Sequence, residues 1–156
     1  DLQGTVVELG LLATRLRTTK NEMVTVPNSV MVNGPVTNYS APAEFGHPLL
    51  IYSSVTIGYD VPWRRVHELL LVAAGRTEGA LAEPAPFVLQ RALDDSYVEY
   101  QVNVAVDPAR SAEMPMLYAW LHAAIQDAFA AGGVEIMSPT YRAVRDGNRS
   151  TIPPLG

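Results

Sequence analysis

The sequence predicts an α+β protein made of two unlike parts, the first built from short strands and the second from alternating strands and helices. Between residues 4 and 39 the side chains alternate in polarity, which is the two-residue period of β-strands. From residue 49 onward, long β-branched runs are separated by stretches whose apolar residues recur every three to four positions, as in amphipathic helices. A Pro- and Gly-bearing break separates the two patterns.

The first part reads as a small all-β domain. We expect strands at 4–9, 11–18, 23–26 and 36–39, with no helix among them. In the second of these strands Thr14 and Leu16 share one face of the sheet, as a period of two requires. Pro27 has no N–H to donate, so ladder pairing must end or move to a sheet edge there, and Asn28 and Ser29 are typical of a turn.

The second part begins with a long apolar strand at residues 49–59. Asp60 is a candidate N-cap for the helix that follows, with Pro62 in its first turn, where a missing N–H costs little. The buried stripe of this helix is predicted from apolar residues spaced i, i+3, i+4 and i+7. They are Val66, Leu69, Leu70 and Ala73.

Two strands, a second helix and a last strand complete the second part. We expect them at 87–92, 97–106, 112–131 and 134–144, with a hairpin turn at 93–96. Gly132 and Gly133 end the predicted helix. The order is therefore β-α-β-β-α-β, the split βαβ or ferredoxin-like plan. The predicted boundaries are 1–40 for the β-domain, 41–48 for a linker, 49–145 for the ferredoxin-like domain and 146–156 for a tail.

Composition excludes several classes of function. The chain has 156 residues, a formal net charge of -5 and no cysteine. A negative chain is a poor general binder of nucleic acid, because phosphate contacts need a basic face. The lack of cysteine removes disulfides, thiolate zinc sites and cysteine nucleophiles. Only 17% of the residues are charged, below the roughly 25% of a typical soluble domain, so we expect some apolar surface to meet other subunits.

No membrane span is predicted from the sequence. The most apolar helical stretch, residues 116–131, contains His122, Gln126 and Asp127, whereas a spanning helix needs about 20 residues with few or no charges. The chain opens on Asp1 without a methionine or a signal-like segment. We interpret it as a piece of something longer.

No catalytic, cofactor-binding or metal-binding residue is predicted. His47, His67 and His122 each lack a second ligand type at helical spacing, so we interpret them as surface or interface residues. Asp94 and Asp95 are better explained as a hairpin tip than as a catalytic carboxylate pair. The sequence contains no glycine motif typical of a phosphate loop, a dinucleotide site or a nucleophile elbow.

The ferredoxin-like plan also makes RNA binding a hypothesis to consider, because the RNA-recognition module shares this plan and stacks bases on aromatic residues of its strands. Tyr97 and Tyr100 lie on a predicted strand, but their surroundings are acidic, which favours packing at a sheet surface or a subunit contact. A modest basic cluster near the C-terminus consists of Arg142, Arg145 and Arg149. We interpret this cluster as a solvated face.

Five stretches form a recognisable combination. They are GTVVELG at 4–10, TRLRT at 14–18, VTVPNS at 24–29, VTIGYD at 55–60 and AGGVEI at 131–136. In this order they resemble the small-conductance mechanosensitive (MscS-type) channel family over about residues 4–145. The combination of T-x-L-R-T with V-x-V-P-N-S is the most specific part of this likeness, because a stretch typical of the family's second module follows it in the chain.

The resemblance implies a fold and a function. In that family a membrane bundle precedes an Sm-like β-domain, and seven copies form a ring beneath the membrane. It implies that this chain is the cytoplasmic vestibule of a channel that releases ions and small solutes under hypo-osmotic tension. It further implies a heptameric homo-oligomer attached to the inner membrane through helices N-terminal to this segment, with no enzymatic activity, no cofactor and no nucleic-acid partner. In such a ring Pro27 fixes where pairing between sheet edges stops.

Two other hypotheses stay open on the sequence alone. One is a soluble two-module protein whose ferredoxin-like half senses a small molecule, and the other is an RNA-binding Sm-like protein. The mass of the native assembly discriminates between the leading hypothesis and these alternatives. A seven-fold ring favours the channel, and a stable monomer or dimer weakens it.

Overall fold

The computed structural model describes residues 2–40 and 46–137, which form two separate antiparallel sheets with helices. The first sheet contains β1 (Gly4–Leu9), β2 (Ala13–Thr18) and β3 (Met23–Pro27), and the helix α1 (Asn28–Asn33) follows it. The remaining elements are β4 (Leu49–Gly58), α2 (Trp63–Arg76), β5 (Phe87–Leu93), β6 (Tyr97–Val106), a 3₁₀ helix (Pro108–Glu113) and α3 (Met114–Gly132). We call residues 4–33 the first module and residues 49–132 the second module. The predicted α+β class and the order of its two parts are confirmed.

The first sheet has the order β1-β2-β3 with antiparallel neighbours. Leu16 on the central strand pairs with Val6 on one side and Val24 on the other. Thr14 and Leu16 are buried while Arg15 between them is exposed, so the predicted alternation is confirmed. A bulge after Val6 shifts the register of β1 against β2.

β3 ends at Pro27, one residue beyond the predicted strand 23–26, and the chain that follows differs from the expectation. Asn28 and Ser29 begin α1, in which the Asn33 side chain donates to the Ser29 carbonyl at 2.7 Å. The strand predicted at 36–39 is wrong, because no strand forms there. The Asn38 carboxamide instead accepts from the Ser40 N–H at 2.9 Å, a local turn that bends the chain out of an extended path.

The second sheet has the order β4-β6-β5, and both pairings are antiparallel. Its helix-facing side meets α2 and α3 to form one core, because alternate residues of β4 and β6 point toward the helices. The predicted stripe of α2 is buried in that core, as are Leu117, Leu121 and Phe129 of α3. Within the described ranges, no helix is long and apolar enough to cross a bilayer.

The helix boundaries of the second module correct one prediction and confirm another. Asp60 does not cap α2, because the N-cap position is taken by Pro62, whose carbonyl accepts from the Arg65 N–H at 2.9 Å. The second helix is preceded by a 3₁₀ turn that Asp107 caps, since its carboxylate accepts from the Ala109 N–H at 2.8 Å. Gly133 ends α3 at a left-handed φ of 67°, the position for which glycine was expected.

Only the start of the predicted last strand lies within the described residues. The Met137 N–H donates to the Thr56 carbonyl at 2.8 Å, on the side of β4 that does not face β6. The ferredoxin-like plan requires its last strand next to its first, so this bridge lies where the plan predicts. The rest of 134–144, the arginine cluster at Arg142, Arg145 and Arg149, and the tail lie outside the described residues.

Candidate functional site

The first module has almost no core of its own. Among residues 2–40 only Thr14 and Leu16 are buried. The same stretch leaves ten large aliphatic side chains exposed: Leu2, Val6, Val7, Leu9, Leu11, Leu12, Met23, Val30, Val32 and Val36. A three-stranded sheet needs a covered apolar face to be stable. This surface is therefore suited to packing against another protein surface.

The most exposed part of this surface is the turn between β1 and β2, which we call the leucine tip (Leu9–Leu12). The exposed fractions are 79% for Leu9, 97% for Leu11 and 82% for Leu12. The turn is closed by a hydrogen bond of 3.0 Å from the Gly10 N–H to the Ala13 carbonyl. Three leucines are thus presented to solvent on a closed turn.

Asn28 holds the leucine tip in place. Its side-chain N–H₂ donates to the carbonyls of Gly10 at 3.0 Å and Leu11 at 3.1 Å, and its backbone N–H donates to the Leu12 carbonyl at 2.9 Å. The side-chain oxygen accepts from the Thr14 hydroxyl at 2.9 Å. Asn28 therefore satisfies one of the module's two buried residues and three carbonyls of the turn. Sequence analysis missed this role.

The three histidines are not brought together. His67 lies between the rings of Trp63 and Tyr100, at centroid distances of 5.0 Å and 5.7 Å. Its Nε2 is buried without a hydrogen-bond partner, and burial lowers the pKa of His67 below its usual value. His47 is exposed at the rim of a cavity of about 480 Å³. His122 is exposed on α3.

The acidic pair lies at a hairpin turn, as predicted. The Asp94 carboxylate accepts from the Asp95 N–H at 2.8 Å, and the Asp94 N–H donates to the Tyr97 carbonyl at 2.9 Å. The hydrogen bond from the Asp95 N–H, followed by one from the Tyr97 hydroxyl, holds the pKa of Asp94 below its usual range. In the part of the chain that the structure describes, no three potential ligands among His, Asp and Glu cluster as a metal site would require.

Tyr97 and Tyr100 lie on opposite faces of β6, because they are three residues apart on a strand. Tyr100 is buried under the helices beside His67, whereas Tyr97 is half-buried on the other face. The two rings therefore form no shared platform on which bases could stack.

Both modules match one protein family. Residues 1–41 match the β-domain of mechanosensitive ion channels, and residues 51–136 match the C-terminal region of the mechanosensitive ion channel MscS. The chain belongs to the MscS family. The likeness of the sequence to mechanosensitive channels is thereby confirmed, and ion transport and membrane association are properties of the family.

Individual relatives agree with this assignment. An uncharacterized MscS family protein of Helicobacter pylori (strain J99) is 30% identical over 112 residues, which are 69% of this chain and 17% of that protein. The fold is similar to that of Helicobacter pylori MscS in a closed state, with a TM-score of 0.66, 19% identity and coverage of 88% of this chain. Arabidopsis thaliana MSL1 is similar with a TM-score of 0.56, 16% identity and 88% coverage. The chain spans 52% and 50% of those two solved chains.

Proposed function

We propose that this chain is the cytoplasmic vestibule portion of a mechanosensitive channel, which releases ions and small solutes when hypo-osmotic stress stretches the membrane. The single observation that supports this most strongly is the match of both modules, in order, to domains of that channel family. The near absence of a core in the first module supports it further, because such a module needs neighbours to cover its apolar side chains.

The proposed assembly is a homo-oligomeric ring of seven copies. Among the described strands, β1 and β3 are the edges of the first sheet, so each has backbone groups that do not pair within the sheet. Pairing one copy's edge with the next copy's opposite edge is a head-to-tail contact, which closes into a ring when the rotation fits. Pro27 at the end of β3 sets where such pairing stops.

The proposed place of the ring is the cytoplasmic side of the inner membrane, to which helices N-terminal to this segment attach it. The proposed role is geometric and non-enzymatic, without a cofactor or a nucleic-acid partner. The boundaries that accompany this proposal are a β-domain at 1–40, a linker at 41–48, a ferredoxin-like domain at 49–145 and a tail at 146–156.

Two experiments test the proposal. Native mass spectrometry of the chain is expected to find a seven-fold species, and Pro27→Ala is expected to lower its thermal stability or change its copy number. The full-length protein, with the residues encoded upstream of Asp1, is expected to restore survival of hypo-osmotic shock in cells lacking such channels. A parent gene without hydrophobic spans upstream, or full-length protein that neither conducts ions nor protects cells, would overturn the proposal. A stable monomer would favour the small-molecule sensor.

A further inference from the structure

One face of the second sheet is covered by α2 and α3, and on the other, which we call the open face, several apolar side chains of the described residues remain exposed although Asn103 and Ala105 are buried there. On the open face Tyr52 of β4 and Phe87 of β5 flank Asn103 of the central strand β6. On the next rung, Leu89 lies beside Gln101. Leu50, Tyr52, Phe87 and Leu89 are between 40% and 55% exposed, and apolar side chains grouped on one sheet face are typical of an interaction surface.

The polar centre of the open face is already satisfied within the face. The Gln101 side chain donates to the Asn103 side-chain oxygen at 2.7 Å, and the Asn103 amide reaches the Phe87 carbonyl at 3.5 Å. Covering these two amides therefore leaves few new unpaired polar groups, so burial of this face carries little of the usual polar penalty. The two central rungs contain no charged side chain.

A second apolar surface lies on the opposite side of the same module, on the outer face of α2. Leu71 and Val72 are exposed there, although the opposite stripe of this helix is buried. Trp63 is exposed at the N-terminal end of the buried stripe, against His67. Arg64 covers the Trp63 ring, with its guanidinium carbon 4.3 Å from the ring centroid. Gly75 has nothing within 4 Å of the position of an added Cβ, so the space beside this end of the helix is open.

The elements that bear the two surfaces carry opposite formal charge. The three strands and the hairpin turn contain Asp94, Asp95 and Glu99 against Arg91, a formal charge of -2. Helix α2 contains Arg64, Arg65 and Arg76 against Glu68, a formal charge of +2 with His67 neutral. Complementary charge favours the encounter of these two surfaces and opposes the pairing of either surface with itself.

We propose that the open face of one copy docks on the outer face of α2 of the next copy. The contact is head-to-tail, because the two surfaces lie on opposite sides of one two-layer module. It rests on the proposed homo-oligomer and adds a second contact to the edge pairing of the first module. A second copy is the occupant because it brings the apolar area and the opposite charge together on one surface.

The chain contains no cysteine, so introduced thiols can report this contact without interference. Leu71→Cys and Leu89→Cys are made as separate variants, mixed and oxidised, and covalent dimers are counted on a denaturing gel. The mixture is expected to form at least about tenfold more dimer than either variant alone, since complementary surfaces meet and like surfaces repel. Leu89→Cys mixed with Met116→Cys is the matched control, because Met116 is a comparably exposed residue on α3.

Charge reversal is a second test of the same contact. Arg64→Glu and Glu99→Arg are each expected to weaken assembly several-fold in sedimentation, and the double variant is expected to recover it. If the wild-type chain assembles but the 71–89 pair crosslinks no better than the control, this contact is wrong while the proposed function stands. Dimers of Leu89→Cys alone would replace it with a like-to-like contact. A wild-type chain that stays monomeric and gives no 71–89 dimer removes this contact and counts against the proposed ring, whereas the channel function is decided by the full-length protein.

Discussion

The two modules are stabilised in different ways. The second module encloses a cluster of 21 buried residues between one sheet and two helices. The first module buries two side chains among residues 2–40 and depends on one asparagine to hold its turn. The difference shows that secondary structure alone does not make a domain independent. A sheet whose apolar residues find no second layer among the described residues is suited to find that layer in a neighbour.

The largest expected change in stability comes from a substitution in the core of the second module. Leu121→Ala removes a fully buried side chain of α3 and is expected to lower the free energy of unfolding by about 2–5 kcal/mol. The matched change Leu11→Ala, at a residue that is 97% exposed, is expected to cost less than about 0.5 kcal/mol in dilute, unassembled protein. Denaturant unfolding followed by tryptophan fluorescence measures the Leu121→Ala cost, because the two tryptophans, Trp63 and Trp120, lie in the second module. Hydrogen exchange of the amides of β1 to β3 measures the Leu11→Ala cost in the first module. Equal costs at the two positions would remove the contrast between the modules.

The next effect concerns the asparagine of the first module. Asn28→Ala leaves the buried Thr14 hydroxyl and the turn carbonyls without their partner, at an expected cost of about 1–3 kcal/mol to the first module. Asn33→Ala is the control, since that side chain makes one exposed hydrogen bond to Ser29. Hydrogen exchange of amides 10–18 is expected to speed up in Asn28→Ala only, with tryptophan fluorescence unchanged. Unaltered exchange would mean that the sheet holds the turn without Asn28.

Alanine substitutions at two glycines of the second module are expected to change its stability in opposite directions. Gly79 has a φ of 82°, and an added Cβ would lie 2.8 Å from Leu117 Cδ2, so Gly79→Ala is strained and crowded. The strain alone is expected to cost about 1–2 kcal/mol of stability. Gly75 lies in a helix with open space around it, and Gly75→Ala is expected to gain about 0.5 kcal/mol. Thermal unfolding measures both, and a stabilising Gly79→Ala would contradict the geometry.

The smallest expected effect is the pH dependence of the second module. Burial lowers the pKa of His67 in the folded protein below its usual 6.5, so the unfolded chain binds the proton more readily. Stability is therefore expected to be full above pH 6.5 and to fall as the pH decreases below it. His67→Phe is expected to flatten this slope in urea unfolding between pH 5 and 8, whereas His122→Gln, at an exposed position, is expected to keep it. A slope that persists in His67→Phe would assign the effect to other groups.

Most strands and both long helices could be predicted from the sequence, because their periodicity is local. The stripe from Val66 to Ala73 and the end of α3 at Gly133 follow from spacing and backbone preference alone. Two errors share a cause. Asn28 was expected to turn the chain and Asp60 to cap a helix, since the side-chain preferences of these residues were taken as deciding their roles. In the structure Pro62 takes the cap position, and Asn28 serves partners 14 to 18 residues away.

The surfaces that matter for assembly were harder to predict than the elements. Low charge content indicated that apolar surface is left over, but composition does not say which side chains remain uncovered. Leu11 and Leu121 are the same residue type in similar apolar surroundings along the chain, yet one is almost fully exposed and the other fully buried. Only the three-dimensional packing distinguishes them, because burial depends on which second layer each element finds.

The hydrogen bonds of Asn28 also couple the start of α1 to the hairpin turn between β1 and β2. A pull on α1 acts at once on the carbonyls of Gly10, Leu11 and Leu12 and on the Thr14 hydroxyl. Four hydrogen bonds thus join the first residue of the short helix to the hairpin turn and the start of β2. We expect the turn and the start of α1 to open together, since a single side chain serves both.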